Sequence, residues 1–276
     1  MEARRSNSFD ASAAFDRCKH YRRRVLDVSQ KVGALHVAPA FSCTEIVDSI
    51  YNHLMSGNGT VAGEDIFLMS KGHACILQYI ILAECGVLTE EDLDRYCTPD
   101  GRLGTHPDYG TPGVAAATGS LGHGMGIAAG IAKAEQLLNR GSTTFLLLSD
   151  GECQEGSTWE AAMTAANLGL DNLVAFVDYN DFSGLERMSE GHKAFHPLAD
   201  KFRSFGWDVE EVDGHNSSEI VRAVEARSGS KPFIAVCQTV KGKGVSYMEN
   251  VPIWHYRSPN PEEYAQAIRE IESTTL

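Results

Sequence analysis

The chain has 276 residues, 43% apolar and 22% charged, with 24 Lys and Arg against 37 Asp and Glu for a formal charge of −13. A field of that sign repels polyanions, which argues against general nucleic-acid binding and attachment to anionic membranes, and leaves any phosphorylated ligand dependent on local features. No apolar run approaches the roughly 20 residues that span a bilayer, and the polar, basic N-terminus lacks the apolar centre of a secretory signal. Seven scattered cysteines without a C-x-x-C pair point away from disulfides and thiolate zinc sites and toward a reducing, cytoplasmic setting.

Residues 1–24 read as a polar arm leading into a helix over residues 13–32, and residues 25–276 as one domain. The run Arg22, Arg23 and Arg24 reads as a solvated helix face. Nine glycines between residues 101 and 130 predict binding loops, because glycine admits positive φ and close approach of backbone to a ligand. Beyond them, short apolar runs at 144–148, 173–177, 207–212 and 233–238 alternate with helical patterns at 158–168 and 197–205. Strands that are apolar on both faces and alternate with helices predict an α/β domain with a mainly parallel sheet covered by helices on both faces. Ligands of such sheets bind beyond the carboxyl ends of the strands.

Two of those ends carry hard oxygen donors. The first run leads into Ser149, Asp150, Gly151 and Glu152, and the second into Asp178, Tyr179, Asn180 and Asp181. Asp150 and Asn180 are thirty residues apart, the length of one βαβ crossover, which sets them on neighbouring strands. A carboxylate, an amide oxygen and a backbone carbonyl suit Mg²⁺ or Ca²⁺, with a diphosphate completing the shell. Gly151 allows an oxyanion to approach, and the following helix N-terminus favours it. Asp-Gly and Tyr-Asn also serve as ordinary turns, but their spacing favours a site. By contrast, His192 and His196 lack a third ligand and precede Pro197, so they read as loop residues. Residues 241–244 lack the spacing of a phosphate-binding P-loop, and Cys153 has no paired base.

Asp150 and Gly151 followed by Asn180 resemble the thiamine-diphosphate motif, with Ser149 in place of its first glycine. The whole stretch 150–180 is similar to transketolase, and further landmarks agree in order: Ser70 to His73, Gly104 to Pro107, Thr118 to Gly122, Val212 to His215, Lys241 to Val245, and Trp254 with His255. The resemblance covers residues 20–260 and stops where the diphosphate-binding domain of transketolase stops. It therefore implies the N-terminal subunit of a split transketolase, with thiamine diphosphate and Mg²⁺ (or Ca²⁺) as cofactors. Asp150, Asn180 and the carbonyl of Phe182 are implied as metal ligands. Gly151 and His73 are implied at the diphosphate, with Glu152 among the cofactor contacts. Gly119, Leu121 and Gly122 match the loop beside the aminopyrimidine, where Leu121 would hold the cofactor bent. Histidines matching His36, His106 and His255 line the substrate channel of the family, a task that suits a side chain with an ordinary pKa of about 6.5. His36 stands in an altered context, His123 replaces a usual glutamine, and Glu155 matches a glutamate near the subunit interface.

The resemblance implies transfer of a two-carbon ketol unit between a ketose donor and an acceptor. It also implies a partner, a C-terminal subunit carrying the pyrimidine-binding domain, joined in an α2β2 assembly that acts on small sugars. The family's activating glutamate lies on that domain, so this chain alone is expected to show negligible turnover. Two alternatives stay open: a hybrid of transketolase and pyruvate-dehydrogenase chemistry that passes the unit to a lipoyl or acyl-carrier thiol, and a non-catalytic cofactor-binding scaffold.

Overall fold

The computed structural model describes residues 9–61 and 63–275. Its strands are β1 (Ile66–Met69), β2 (Thr144–Ser149), β3 (Leu173–Tyr179), β4 (Phe182–Ser183), β5 (Glu186–Arg187), β6 (Asp208–Asp213) and β7 (Phe233–Gln238). Five of them form one parallel sheet in the order β1-β2-β3-β7-β6, while β4 and β5 make a small antiparallel hairpin just past β3.

Every residue of β2, and all but the last of β3, is buried, as expected for strands covered on both faces. Successive side chains point to opposite faces, and each face has its own apolar cluster. Phe145, Leu147, Val174 and Phe176 pack with the helices Ala11–Ser29, Val37–Ser42, Thr44–Ser49 and Cys75–Glu84. Leu146, Leu148, Ala175 and Val177 pack on the other side with the helices Gly124–Leu137, Gly156–Asn167 and Leu198–Ser204. Among the described residues no helix is long and apolar enough to cross a membrane.

The structure departs from the sequence reading in four places. The first helix runs Ala11–Ser29, earlier than expected, because the Asp10 side chain accepts from the N–H groups of Ser12 and Ala13 and caps it; residues 1–8 of the expected arm lie outside the described residues. Arg22 is buried rather than solvated. Its guanidinium grips Glu45 at 2.6 and 2.8 Å and donates to the Phe41 carbonyl at 3.1 Å, so it docks the first helix onto the next pair. The glycine-dense stretch is loop only as far as residue 123, and Gly124–Leu137 is a helix. Finally, the four-residue strand β1 and the helix Cys75–Glu84 behind it give residues 66–84 a regular structure the pattern did not reveal.

The glycines of helix Gly124–Leu137 differ in purpose. A Cβ on Gly124 would collide with the Ser70 side chain, whereas one on Gly130 would meet nothing within 4 Å. Glycine in a helix interior costs about 1 kcal/mol relative to alanine. Urea denaturation should therefore show Gly130→Ala more stable than wild type by about 0.5–1 kcal/mol and Gly124→Ala less stable.

Candidate functional site

Ser149 pairs with Asp178 across the β2–β3 ladder, so Asp150 and Asn180 leave adjacent strands at the same end of the sheet. The Asp150 carboxylate accepts the N–H of Gly151 at 2.8 Å and that of Asp181 at 2.6 Å, which ties β2 to the turn after β3. The Asn180 amide oxygen accepts the N–H of Phe182 at 3.1 Å, and its NH2 donates to Ser42 Oγ (3.1 Å) and Asp178 (3.0 Å). A Cβ on Gly151 would meet the Phe182 carbonyl oxygen at 3.2 Å and Ser183 Cα at 3.1 Å. Only glycine leaves that crevice open. Asp150 has no exposed surface; burial, with the Asp178 charge nearby, pushes its carboxyl up to about 7. The rim thus offers a carboxylate, an amide oxygen and a backbone carbonyl, a hard donor set that fits a divalent cation. These oxygens have lone pairs beyond those engaged in the hydrogen bonds described. Among the described residues no three His, Cys, Asp or Glu side chains converge on a metal, so a cation here depends on this mixed set.

Beneath the rim lies a group that sequence reasoning missed. Lys71, just past β1, and Asp178, in β3, have no exposed side-chain surface and form an ion pair. Lys71 also donates to the Pro39 carbonyl at 3.1 Å, while Asp178 accepts from the hydroxyls of Ser42 (2.7 Å) and Thr239. Burial opposes the charge on each partner, but mutual attraction outweighs it, holding Lys71 above and Asp178 below its ordinary value. The available signal was an acidic residue at the end of an otherwise apolar strand, which must find a cation when both faces are covered.

Facing the rim are four histidines, all of them expected from sequence. The His36 ring lies 5.3 Å from that of His73, 6.2 Å from His106 and 5.3 Å from His255, with Tyr256 at 4.5 Å. They arrive from the start of helix Val37–Ser42, the turn Gly72–Ala74, the glycine-dense loop and the turn Pro252–Tyr256. Burial, with His106, Lys241 and Lys71 nearby, lowers His36 to about 4; burial, with Lys241 and His36 nearby, lowers His255 to about 3. Burial also holds His73 well below the usual range. These three rings are neutral at pH 7, and Nδ1 of His36 is buried without a partner.

Lys241, marked in the sequence only as the start of the landmark Lys241 to Val245, enters the site itself. It donates to Nδ1 of His255 at 2.9 Å and to the Gly184 carbonyl at 2.8 Å, and sits 4.8 Å over the Phe182 ring. Burial and the Lys71 charge push it down to about 8. Its bond to Nδ1 leaves the proton of neutral His255 on Nε2.

The loop of residues 118–122 closes the wall. Thr118 Oγ1 donates to the Met69 carbonyl at 2.6 Å, and Gly119, at φ +115°, packs so closely on the His106 ring that a Cβ there would strike it. Leu121 is half-buried, and His123 turns back toward the Ser120 and Leu121 carbonyls at 3.1 and 3.3 Å. Glu152 differs from the expectation. It is fully buried, and its carboxylate accepts from the Ser70 hydroxyl and from the N–H of Gly122 (3.0 Å), inside the wall rather than on the rim. Glu155 is exposed before helix Gly156–Asn167, and His196 bonds the Tyr179 hydroxyl.

A parallel α/β sheet with oxygen donors and open glycines at its carboxyl ends defines a domain of the class that holds diphosphate-bearing ligands. Comparison with known proteins identifies it further. Residues 16–270 match the transketolase thiamine-diphosphate-binding domain, and the chain belongs to that family. It is 34% identical over 255 residues to one of the subunits of the apulose-4-phosphate transketolase of Phocaeicola vulgatus, covering 91% of this chain and 90% of that one. It is 37% identical over 257 residues to a 6-deoxy-6-sulfo-D-fructose transketolase subunit of a Clostridium species, covering 91% and 93%. The crystal structure of transketolase from Campylobacter jejuni superposes with a TM-score of 0.89 at 27% identity, over 96% of this chain and 43% of that one. The chain thus spans about two-fifths of the length of that solved transketolase chain.

Removing one member of a buried ion pair strands the other, at a cost of about 3–5 kcal/mol. Urea denaturation should show at least that loss for Lys71→Met, and a loss below about 1 kcal/mol would mean that Asp178 is served by its hydroxyl donors alone. His36 gives a pH prediction. Its folded pKa lies near 4 against an ordinary 6.5, so the unfolded chain binds more protons between those values. The stability it contributes is complete above about 6.5 and is lost as pH falls toward about 4. His36→Gln should lose less stability than wild type on acidification across that window, as followed by thermal melts.

Proposed function

We propose that this chain is the diphosphate-binding subunit of a split transketolase, moving a two-carbon ketol unit from a ketose to an acceptor when a second subunit completes the site. The observation that carries this reading is the meeting of the Asp150–Asn180–Phe182 rim with three neutral histidines and His106 at one end of a parallel sheet. Thiamine diphosphate, when bound, supplies the nucleophilic thiazolium carbon that breaks and makes the carbon–carbon bond beside a carbonyl.

The chain's own residues bind, orient and move protons around it. Asp150, Asn180 and the Phe182 carbonyl would hold Mg²⁺ or Ca²⁺, and Gly151 would leave room for the diphosphate. His73, neutral, would offer an N–H to the diphosphate. With Lys71 matched by Asp178, Lys241 is the cation that would favour a diphosphate locally in a chain of net charge −13. Leu121, Gly119 and Gly122 shape the wall beside the aminopyrimidine. His36, His106 and His255 exchange protons with substrate hydroxyl and carbonyl oxygens, with Lys241 fixing the tautomer of His255.

The names of the two relatives, each a subunit of its enzyme, support a separate partner, which we propose carries the pyrimidine-binding domain in an α2β2 assembly. Leu185, Ile253 and Tyr256 are exposed on the segments that also carry Phe182 and His255, a face such a partner would cover. Both relatives are named for sugars with an anionic substituent, so a ketose bearing phosphate or sulfonate is the proposed donor class. Their names lend nothing to a carrier-thiol acceptor or to a bare scaffold. A cytoplasmic setting is proposed from seven scattered cysteines that include no C-x-x-C pair.

Calorimetric titration of thiamine diphosphate and Mg²⁺ into the two-subunit protein tests the reading. Wild type should bind, and Asp150→Ala should bind at least about 100-fold more weakly, about 2.7 kcal/mol. The purified chain alone should show negligible ketol transfer. Equal binding by both proteins, or full turnover without a partner, would overturn it.

A further inference from the structure

Glu152 is a fully buried acid to which the proposed chemistry gives no task. An ionised carboxylate in that position costs several kcal/mol unless it is well satisfied, and its partners identify what it serves. One oxygen, Oε1, accepts from the Ser70 hydroxyl and from the N–H of Gly122 at 3.0 Å. The residue's own backbone is pinned as well, its N–H donating to Ser149 Oγ at 3.1 Å and its carbonyl accepting from Thr158 Oγ1 at 3.3 Å. Glu152 is therefore fixed to the end of β2 that carries Asp150, and through one oxygen it reaches the ends of both β1 and the 118–122 loop.

Apart from the neighbouring His123 ring, which bonds the Ser120 and Leu121 carbonyls, that loop is held at its two ends. Thr118 is tied to Met69, and Gly122 is tied through its N–H to Glu152 and through its carbonyl to Ser157 Oγ at 2.9 Å. Among the described residues, the N–H groups of 119–121 make no hydrogen bond. Gly119 and Gly122 both sit at positive φ, and Gly119 packs directly on the His106 ring. Without the Glu152 contact, residues 119–122 keep, among the described residues, only the Ser157 bond to the Gly122 carbonyl, the His123 ring on the Ser120 and Leu121 carbonyls, and the packing of Gly119 on His106.

We propose that Glu152 is a positioning residue for ketol transfer. It holds the 118–122 segment in register with the Asp150 end of β2, acting through Gly122 and Ser70 without touching substrate or cofactor. This rests on the reading that the segment passes beside the cofactor's aminopyrimidine. The geometry also predicts which change is tolerated. The second carboxylate oxygen, Oε2, is buried without a partner, so glutamine can keep an acceptor on Gly122 and Ser70 and turn its NH2 to the unpartnered side.

The test compares wild type, Glu152→Ala, Glu152→Gln and Ser70→Ala in the two-subunit enzyme. Hydrogen exchange is measured over residues 118–124 without cofactor, binding of thiamine diphosphate with Mg²⁺ by calorimetry, and turnover per bound cofactor. In Glu152→Ala, exchange at residue 122 should accelerate at least about 10-fold. Turnover per bound cofactor should fall about 10- to 100-fold, with sugar KM and cofactor Kd within about 5-fold of wild type, since the diphosphate end is intact. Glu152→Gln should recover at least about a third of the turnover. If Glu152→Ala does not fold, Ser70→Ala, which leaves the carboxylate with one donor fewer, should show the same changes in smaller degree.

Wild-type exchange and wild-type turnover per bound cofactor in a folded Glu152→Ala or Ser70→Ala protein would overturn the proposal. So would a turnover loss that only follows the folded fraction, with no recovery in the glutamine variant. Failure of wild type to bind the cofactor would instead count against the transketolase reading, while the exchange data would still decide whether Glu152 clamps the loop.

Discussion

A lysine ammonium and an aspartate carboxylate, neither with any exposed surface, meet at the carboxyl end of the sheet, where Lys71 reaches from just past β1 to Asp178 in β3, beside Thr239 just past β7. Neither charge could be kept there alone, since an unpaired buried ion costs several kcal/mol. Together they join the Pro39 carbonyl, Ser42 and Thr239 into one polar knot beneath the site. The knot also sets the rim above it. Because Asn180 donates its NH2 to Asp178 and Ser42, its amide oxygen is turned the other way, toward the turn that carries Phe182. Burial, with this ammonium adding to it, lowers the proton affinity of His36, His73, His255 and Lys241, which leaves those imidazoles neutral, able to give and accept protons.

Local and overall charge thus play opposite parts. A chain of net charge −13 repels polyanions at long range, yet at the end of its sheet Asp178 is matched by Lys71 and a second buried lysine, Lys241, stands beside the Phe182 ring. Screening and distance separate the two effects, since a potential in solution decays over about 8–10 Å whereas Lys241 acts at contact. Glycine does the complementary steric work. At Gly151 and Gly119 the missing Cβ is the space itself, in one case facing a backbone carbonyl and in the other a histidine ring.

Much of this was legible in the sequence because burial writes a simple pattern. Apolar runs at 144–148 and 173–177 mark strands covered on both faces, and the polar residues that follow them sit where ligands of parallel sheets bind. The four histidines that converge were all expected, although from motif order rather than from spacing. What stayed hidden depended on contacts between distant segments. Lys71 and Asp178 are 107 residues apart, and nothing local pairs them. Arg22 read as one of three surface cations until helix packing placed Glu45 against it. Glu152 followed a motif glycine and so was taken with the rim, but its side chain turns into the wall. Helix Gly124–Leu137 was obscured by its own glycines, one of which is required by the close approach of Ser70.

The central claim is that the ends of β2 and β3 jointly hold a cation that anchors a diphosphate. The most direct measurement is anomalous diffraction from crystals of the two-subunit protein grown with thiamine diphosphate and Mn²⁺. The account predicts one strong peak within about 2.0–2.6 Å of an Asp150 carboxylate oxygen, the Asn180 amide oxygen and the Phe182 carbonyl, bridged to the diphosphate. A bound cofactor whose metal lies elsewhere, or whose diphosphate is held without these three oxygens, would contradict it.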